Sequence, residues 1–91
     1  MLLWKVMELL QERGIPVMRR GTYLEITTEL VQITIEPRPI YCDRGNFLVK
    51  AFPRSPLIVI DREDGFPRYY FGVLACVDEI KMWMDARKVL T

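Results

Sequence analysis

The stretch VQITIE, residues 31–36, decides the fold class of this 91-residue chain. Valine or isoleucine stands at every odd position of the stretch, and a polar residue stands at every even position. Because successive side chains of a β-strand point to opposite faces, the alternation predicts a strand with one buried face and one wet face. Such a strand is typical of an antiparallel sheet that is covered on one side only.

Neighbouring segments predict the other strands of this sheet. Residues 17–20 and 23–28 are separated by a turn at Gly21 and lead into the central strand, which gives a meander. After it, FLVKAF at 47–52 alternates loosely, and the continuous apolar run PLIVI at 56–60 is typical of a buried strand.

One long loop and one aromatic segment lie in the second half of the chain. EPRPIYCDRGN, residues 36–46, contains prolines and turn residues that exclude a central strand. PRYYF, residues 67–71, predicts a last strand or an extended lead-in to a helix. Within it, Tyr69 and Phe71 are expected to face the core and Tyr70 to point the other way.

Helical periodicity marks both ends of the chain. In residues 2–13 the polar side chains recur at spacings of three and four, which predicts a helix with one narrow wet stripe. Gly14 suits the left-handed position that follows a helix, and Pro16 prevents continuation. A second helix is predicted from residue 73 to about residue 89, with its own polar and apolar stripes.

These elements predict a single α+β domain that spans residues 1–91. We expect a two-layer sandwich in which an antiparallel sheet of about four to five strands carries the N-terminal and the C-terminal helix on one face. This is the simplest architecture that buries every apolar stripe.

The residue inventory argues against catalysis. The chain has no histidine and a single serine, so no histidine-based triad is possible. Cys42 is the only plausible nucleophile because a neighbouring arginine favours a thiolate, whereas Cys76 falls on the apolar stripe of the second helix. No spacing matches a metal site or a phosphate-binding glycine loop. We therefore predict a protein that is not an enzyme, with no catalytic residue, cofactor or metal.

Charge and hydropathy narrow the class of partner. The formal net charge is +1, which supplies little long-range attraction to nucleic acid. The apolar opening MLLWKVMELL is interrupted by Lys5 and Glu8 and is too short to span a bilayer. We expect no membrane association and a cytoplasmic location.

Both predicted helices have apolar arcs wider than one face of a sheet can cover. Exposed apolar patches mark interfaces, where tryptophan and methionine are enriched. The leading hypothesis is a small accessory or regulatory domain that binds another protein, most simply a second copy as a homodimer. In the alternative, the arcs pack helix against helix within one chain. The predicted interface residues are Trp4, Met7, Leu74, Met82 and Trp83.

A second hypothesis is binding of RNA or single-stranded nucleic acid, since arginine and aromatic residues interleave between residues 38 and 71. It ranks lower because half of the aromatics on a half-buried strand point into the core, and nearby carboxylates cancel much of the charge. We predict a polar binding patch where two loops converge at one end of the sheet. Its residues are Asp43, Arg44, Asn46, Arg62, Asp64, Arg68 and Tyr70.

Overall fold

The protein is described by a computed structural model that covers residues 2–37, 47–56, 60, 66–70 and 72–88. The elements in chain order are α1 (Leu2–Glu12), β1 (Met18–Arg20), β2 (Tyr23–Thr27), β3 (Val31–Pro37), β4 (Phe47–Pro53), β5 (Arg68–Tyr70) and α2 (Val73–Lys88). The predicted helices and the first four predicted strands are confirmed, with each end within about a residue of its expected place. Most of the strand predicted from PLIVI lies outside the described residues.

The sheet has five strands in the order β1-β2-β3-β4-β5, and each strand pairs antiparallel with the next one in sequence. β3 and β4 form its centre, in register from Val31 opposite Pro53 to Pro37 opposite Phe47. The edge strands β1 and β5 have three residues each, and short edges limit pairing with other chains.

The core lies between one face of this sheet and both helices. Val31, Ile33 and Ile35 of β3 are buried, which confirms the alternation predicted from VQITIE. The helices cover this face with the residues that their periodicity selects: Leu3, Val6 and Leu10 of α1, and Cys76, Val77, Ile80 and Trp83 of α2. The two-layer α+β sandwich with both helices on one face is thereby confirmed.

The end of α1 follows its sequence signal. Gly14 adopts a φ of 76°, a left-handed conformation that glycine adopts without strain. The amide of Ile15 donates to the carbonyl oxygen of Leu10 at 3.0 Å, so an acceptor of the last turn is satisfied.

The two helices lie side by side and run in the same direction. β1 and β5 are parallel to each other because an even number of antiparallel pairings separates them. α1 precedes β1 and runs antiparallel to it, and α2 follows β5 and runs antiparallel to it. Arg13, directly after α1, donates from Nη2 to Oδ1 of Asp78 in α2 at 3.1 Å. Residues that follow α1 also line one cleft with residues of the C-terminal half of α2.

The orientation predicted for the aromatic segment is wrong. Tyr70 is buried and Tyr69 is exposed. The register of β5 places Tyr70 opposite Phe47, which is itself a core residue, and side chains opposite each other in a ladder share a face. Phe71 lies outside the described residues.

Within the part of the chain that the structure describes, neither helix has the length and apolar character needed to cross a membrane.

Candidate interaction surface

Among the described side chains of the helix layer, three large apolar ones are exposed. Trp4 of α1 is 53% exposed, and Leu74 and Met82 of α2 are 60% and 66% exposed. We call these three residues the helix-layer surface. All three belong to the predicted interface. Packing within the chain therefore does not cover the whole apolar arc of either helix.

Leu74 and Met82 lie on a single stripe of α2. Asp78 stands four residues from each of them, and residues four apart on a helix are neighbours on the same side. The carboxylate of Asp78 is bound to Arg13 at 3.1 Å, so the charge between the two apolar side chains is partly neutralised. The stripe therefore presents two apolar side chains around an ion pair.

Trp4 lies on the opposite side of α1 from α2. It is nine residues from Arg13, and nine residues at about 100° each place two side chains roughly half a turn apart. Because Arg13 points to α2, Trp4 points away from it. Lys5 accompanies the indole, with its Nζ 5.7 Å from the ring centroid. The predicted interface is thus divided between two sites.

Two residues of the predicted interface have a different place. Trp83 is only 8% exposed and packs edge-on against Phe66, with 5.3 Å between ring centroids. Met7 is half-buried and packs against the core. Helical periodicity identifies an apolar arc but does not show which part of the arc is covered by other elements. In this fold the core and Phe66 cover Trp83. Trp83 is therefore not part of the helix-layer surface.

A cleft of about 380 Å³ opens at the end of the sheet where both helices finish. Its lining comes from three separate segments, the connection after α1, the β2–β3 turn and the C-terminal half of α2. The apolar lining includes Ile15, Leu30, Val31, Trp83 and Met84, and the charged lining consists of Arg13, Glu29, Lys81 and Asp85.

Arg13, Lys81 and Asp85 in the lining of the cleft form ion pairs, whereas Glu29 forms none with a described residue. Arg13 is bound to Asp78 at 3.1 Å, and Lys81 to Asp85 at 2.8 Å. Among the residues that the structure describes, Glu29 has no ion-pair partner. The cleft therefore offers an apolar interior with one uncompensated carboxylate at its margin.

The face of the sheet that the helices leave bare carries a polar network on strands β1, β2 and β3. The carboxylate of Glu25 accepts hydrogen bonds from Thr27 at 2.8 Å, from Arg20 at 2.9 Å and from Gln32 at 2.9 Å. The hydrogen bond from Thr27 is the largest cause that lowers the pKa of Glu25, and the adjacent Arg20 and Gln32 lower it further. Polar groups that satisfy one another in this way are poorly suited to bury against an apolar partner.

Exposed apolar residues on this bare face are dispersed. Met18, Phe52 and Tyr69 stand on β1, β4 and β5. Tyr69 lies opposite the buried Leu48, and Lys50 separates Leu48 from Phe52 along β4. Lys50 lies in the middle of this face, and its ammonium is 3.5 Å from the carboxylate of Glu36. As far as the described residues show, the bare face thus has aromatic groups but little free positive charge.

Most of the predicted polar patch lies outside the described residues, namely Asp43, Arg44, Asn46, Arg62 and Asp64. Of the remaining two, Arg68 is exposed, with its guanidinium 5.6 Å from the ring centroid of Tyr70. Tyr70 belongs to the core, where burial raises the pKa of its hydroxyl, and it is not available as a surface contact.

Pro37 and Phe47, which flank the first predicted loop, lie at one end of the β3–β4 ladder. The second predicted loop leads into β5, and Tyr70 of β5 stands opposite Phe47 at that same end. Residues 38–46 and 61–65 lie outside the described residues, so the convergence of the two loops stays a prediction.

Residues with catalytic potential are few in the described part of the chain. Cys76 is completely buried, and burial raises the pKa of its thiol to about 12, which suits a core side chain and not a nucleophile. No cluster of three or more potential metal ligands occurs among the described residues. Cys42 lies outside them, and the absence of enzymatic activity stays a prediction.

Sequence reasoning did not find the cleft, because no local motif marks it. A signal nevertheless existed in the topology. In a meander of antiparallel strands, the turn at residues 28–30 and the connection after α1 fall at the same end of the sheet, and so does the end of a C-terminal helix that reverses on β5.

Comparison with protein-family models, with curated proteins and with solved structures finds no match to this chain.

Proposed function

We propose that this chain is a non-enzymatic protein-interaction domain that associates with a second copy of itself through its helix layer. The observation that carries the proposal is the exposure of Leu74 and Met82 on one stripe of α2, 60% and 66% respectively, in a domain whose other α2 stripe is fully used by the core. Exposed apolar side chains on one stripe of a small domain favour association.

The energy available from this stripe is modest. Full burial of a leucine or methionine side chain contributes about 1.5–3 kcal/mol, so burying the exposed part of each contributes roughly 1–2 kcal/mol. In a symmetric pair the four side chains contribute roughly 4–8 kcal/mol, against an association cost of about 4–15 kcal/mol. The stripe alone therefore supports a weak dimer, and additional contacts are required for a stable one.

Sedimentation equilibrium over a range from low micromolar to high micromolar protein tests the proposal. We expect reversible self-association in the parent chain. In a symmetric pair, Leu74→Ser or Met82→Ser removes two contacts, worth roughly 2–4 kcal/mol together, and should weaken association roughly 30- to 1,000-fold. Met18→Ser is the matched control, because Met18 is also more than half exposed but lies on the bare face of the sheet. A parent chain that stays monomeric throughout, or an equal loss with the control, contradicts the proposal.

The nucleic-acid hypothesis receives less support from the described residues. Phe52 and Tyr69 are half exposed on the bare sheet face and offer stacking surfaces. The cations of that face, however, are paired: Arg20 with Glu25 at 2.9 Å and Lys50 with Glu36 at 3.5 Å. Binding of a labelled single-stranded oligonucleotide that weakens steeply as salt rises, and that Tyr69→Ala reduces, would favour this function over self-association.

A further inference from the structure

We infer that the cleft at the end of α1 and α2 receives the Trp4 side chain of a second copy, so that copies associate head to tail. The inference rests on the self-association proposed above, and it assigns the contact to two different sites on the chain. Trp4 with Lys5 is one site, and the cleft with Glu29 at its margin is the other.

The cleft has the size and lining for one bulky aromatic side chain. Its volume of about 380 Å³ lies at the lower end of the range for small-molecule sites, roughly 300–1,000 Å³. Ile15, Val31 and Met84 contribute apolar lining, and Leu30 stands half-buried in the β2–β3 turn. An indole that enters this space exchanges water for apolar contacts on most of its surface.

Charge identifies the occupant. The uncompensated charge at the margin of the cleft is the carboxylate of Glu29, so the best ligand combines an apolar body with a nearby cation. Trp4 and Lys5 form such a unit, because the Nζ of Lys5 lies 5.7 Å from the indole centroid. The ion pair that Lys5 forms with Glu8 within α1 is weak, because the two charged atoms are 3.9 Å apart and both side chains are about half exposed. The ammonium is therefore available to Glu29 of the neighbouring copy.

Trp4 cannot fill the cleft of its own chain. It stands near the start of α1, whereas the cleft lies beyond the end of that helix, roughly 13 Å away at 1.5 Å per residue. It also points away from α2, which forms one wall of the cleft. Only a second copy can bring the two sites together.

A contact between two different sites is heterologous, and this distinguishes it from a symmetric α2–α2 pair. Each copy keeps one free indole and one free cleft after the first contact, so association proceeds beyond the dimer unless the ring closes. The parent chain is therefore expected to form species larger than a dimer at high concentration.

A mixing experiment tests the inference. Trp4→Ala removes the inserted side chain and leaves the cleft intact, whereas Leu30→Asp places a charge in the cleft and leaves Trp4 intact. We expect each variant alone to associate about 10- to 100-fold more weakly than the parent, as for a central aromatic anchor. An equimolar mixture should recover a one-to-one dimer, because one intact indole then meets one intact cleft, and it should form nothing larger.

A charge-reversal pair provides a second route that leaves the core untouched. Lys5→Glu and Glu29→Lys exchange two exposed charges, each variant alone should weaken association, and their mixture should restore it. Circular dichroism and urea unfolding of each variant confirm that the fold is retained. Association should also shift the tryptophan emission to shorter wavelength in the parent chain, and to a smaller extent in Leu30→Asp, which keeps both tryptophans.

The outcomes separate this inference from the proposed function. If Leu74→Ser and Met82→Ser weaken association while Trp4→Ala and Leu30→Asp leave it as in the parent, the inference is overturned and the proposed function stands. If the mixture of Trp4→Ala with Leu30→Asp stays monomeric although each variant is folded, head-to-tail binding is overturned. A parent chain that never associates overturns both.

Discussion

Met82 and Trp83 are adjacent in α2, and truncation should lower the stability of the protein far more at Trp83 than at Met82. Trp83 is 8% exposed and packs on Phe66, so Trp83→Ala leaves a cavity and is expected to reduce the free energy of unfolding by about 3–5 kcal/mol. Met82 is 66% exposed, so about one third of its burial is lost, which is worth roughly 0.5–1 kcal/mol. The higher helix propensity of alanine offsets part of that loss.

Met82→Ala is also expected to weaken self-association by at least about tenfold, because it removes an exposed apolar contact from each copy. Trp83 lines the cleft as well as packing in the core, so its substitution tests stability alone. Urea unfolding followed by circular dichroism gives the stabilities, and sedimentation equilibrium gives the association constants. The total stability of a domain of 91 residues is roughly 5–14 kcal/mol, so Trp83→Ala stays measurable in most of this range.

Trp83→Phe is the companion variant in case the alanine variant does not fold. It keeps an aromatic ring against Phe66 and should cost less stability, within about 0.5–3 kcal/mol. The reasoning is refuted if Trp83→Ala leaves the unfolding free energy unchanged. This result would place the indole on the outside of the domain.

Alkaline pH should destabilise the protein through Cys76. Burial raises the pKa of this thiol in the folded state from 9.0 to about 12. Between these pH values the thiol therefore loses its proton in the unfolded state and keeps it in the folded state. The unfolding free energy should fall by up to about 1.4 kcal/mol per pH unit in that window. Urea unfolding measured at a series of pH values should show a weaker dependence of the unfolding free energy on pH in Cys76→Ala than in the parent chain. Cys42→Ala is the control. The Arg13–Asp78 ion pair is partly exposed, so a double-mutant cycle of their alanine variants should give a coupling of about 0.2–1 kcal/mol that salt reduces; a larger, salt-independent value would contradict this. Gly14→Ala should cost about 1 kcal/mol through its positive φ alone, since no atom lies within 4 Å of the added Cβ, and Gly14→Asn should restore part of the loss in thermal unfolding.

The helices and the central strand could be predicted because their signals are local and periodic. Residues 2–13 and 31–36 each repeat a pattern over several turns or pleats, so a single exception does not change the assignment. Gly14 is a further local signal, because a left-handed residue at the end of a helix favours glycine whatever the tertiary context.

Tyr69 and Tyr70 show where local reasoning fails. Two adjacent residues of β5 are tyrosine, so hydropathy does not distinguish the two faces of the strand. The register with Phe47 decides which ring is buried, and register is a property of two strands. Trp83 fails for a related reason, because the width of its apolar arc does not reveal which neighbours cover it.

The candidate sites were predictable to different degrees. Trp4, Leu74 and Met82 follow from helical periodicity and from the small interior of the domain. The cleft required three segments that are remote in sequence, and its volume depends on how the helices end against the β2–β3 turn. Only the assembled topology contains that information.

The pairing of α1 with α2 also has a consequence for how the chain is made. Arg13 and Asp78 are 65 positions apart, and every strand of the sheet lies between them in the chain. On the ribosome, the first helix emerges long before its companion exists, so the flank that later meets α2 stays in water while the meander forms. Premature termination before residue 73 would release a sheet whose apolar side is half covered, and such a fragment is a substrate for chaperones and proteases.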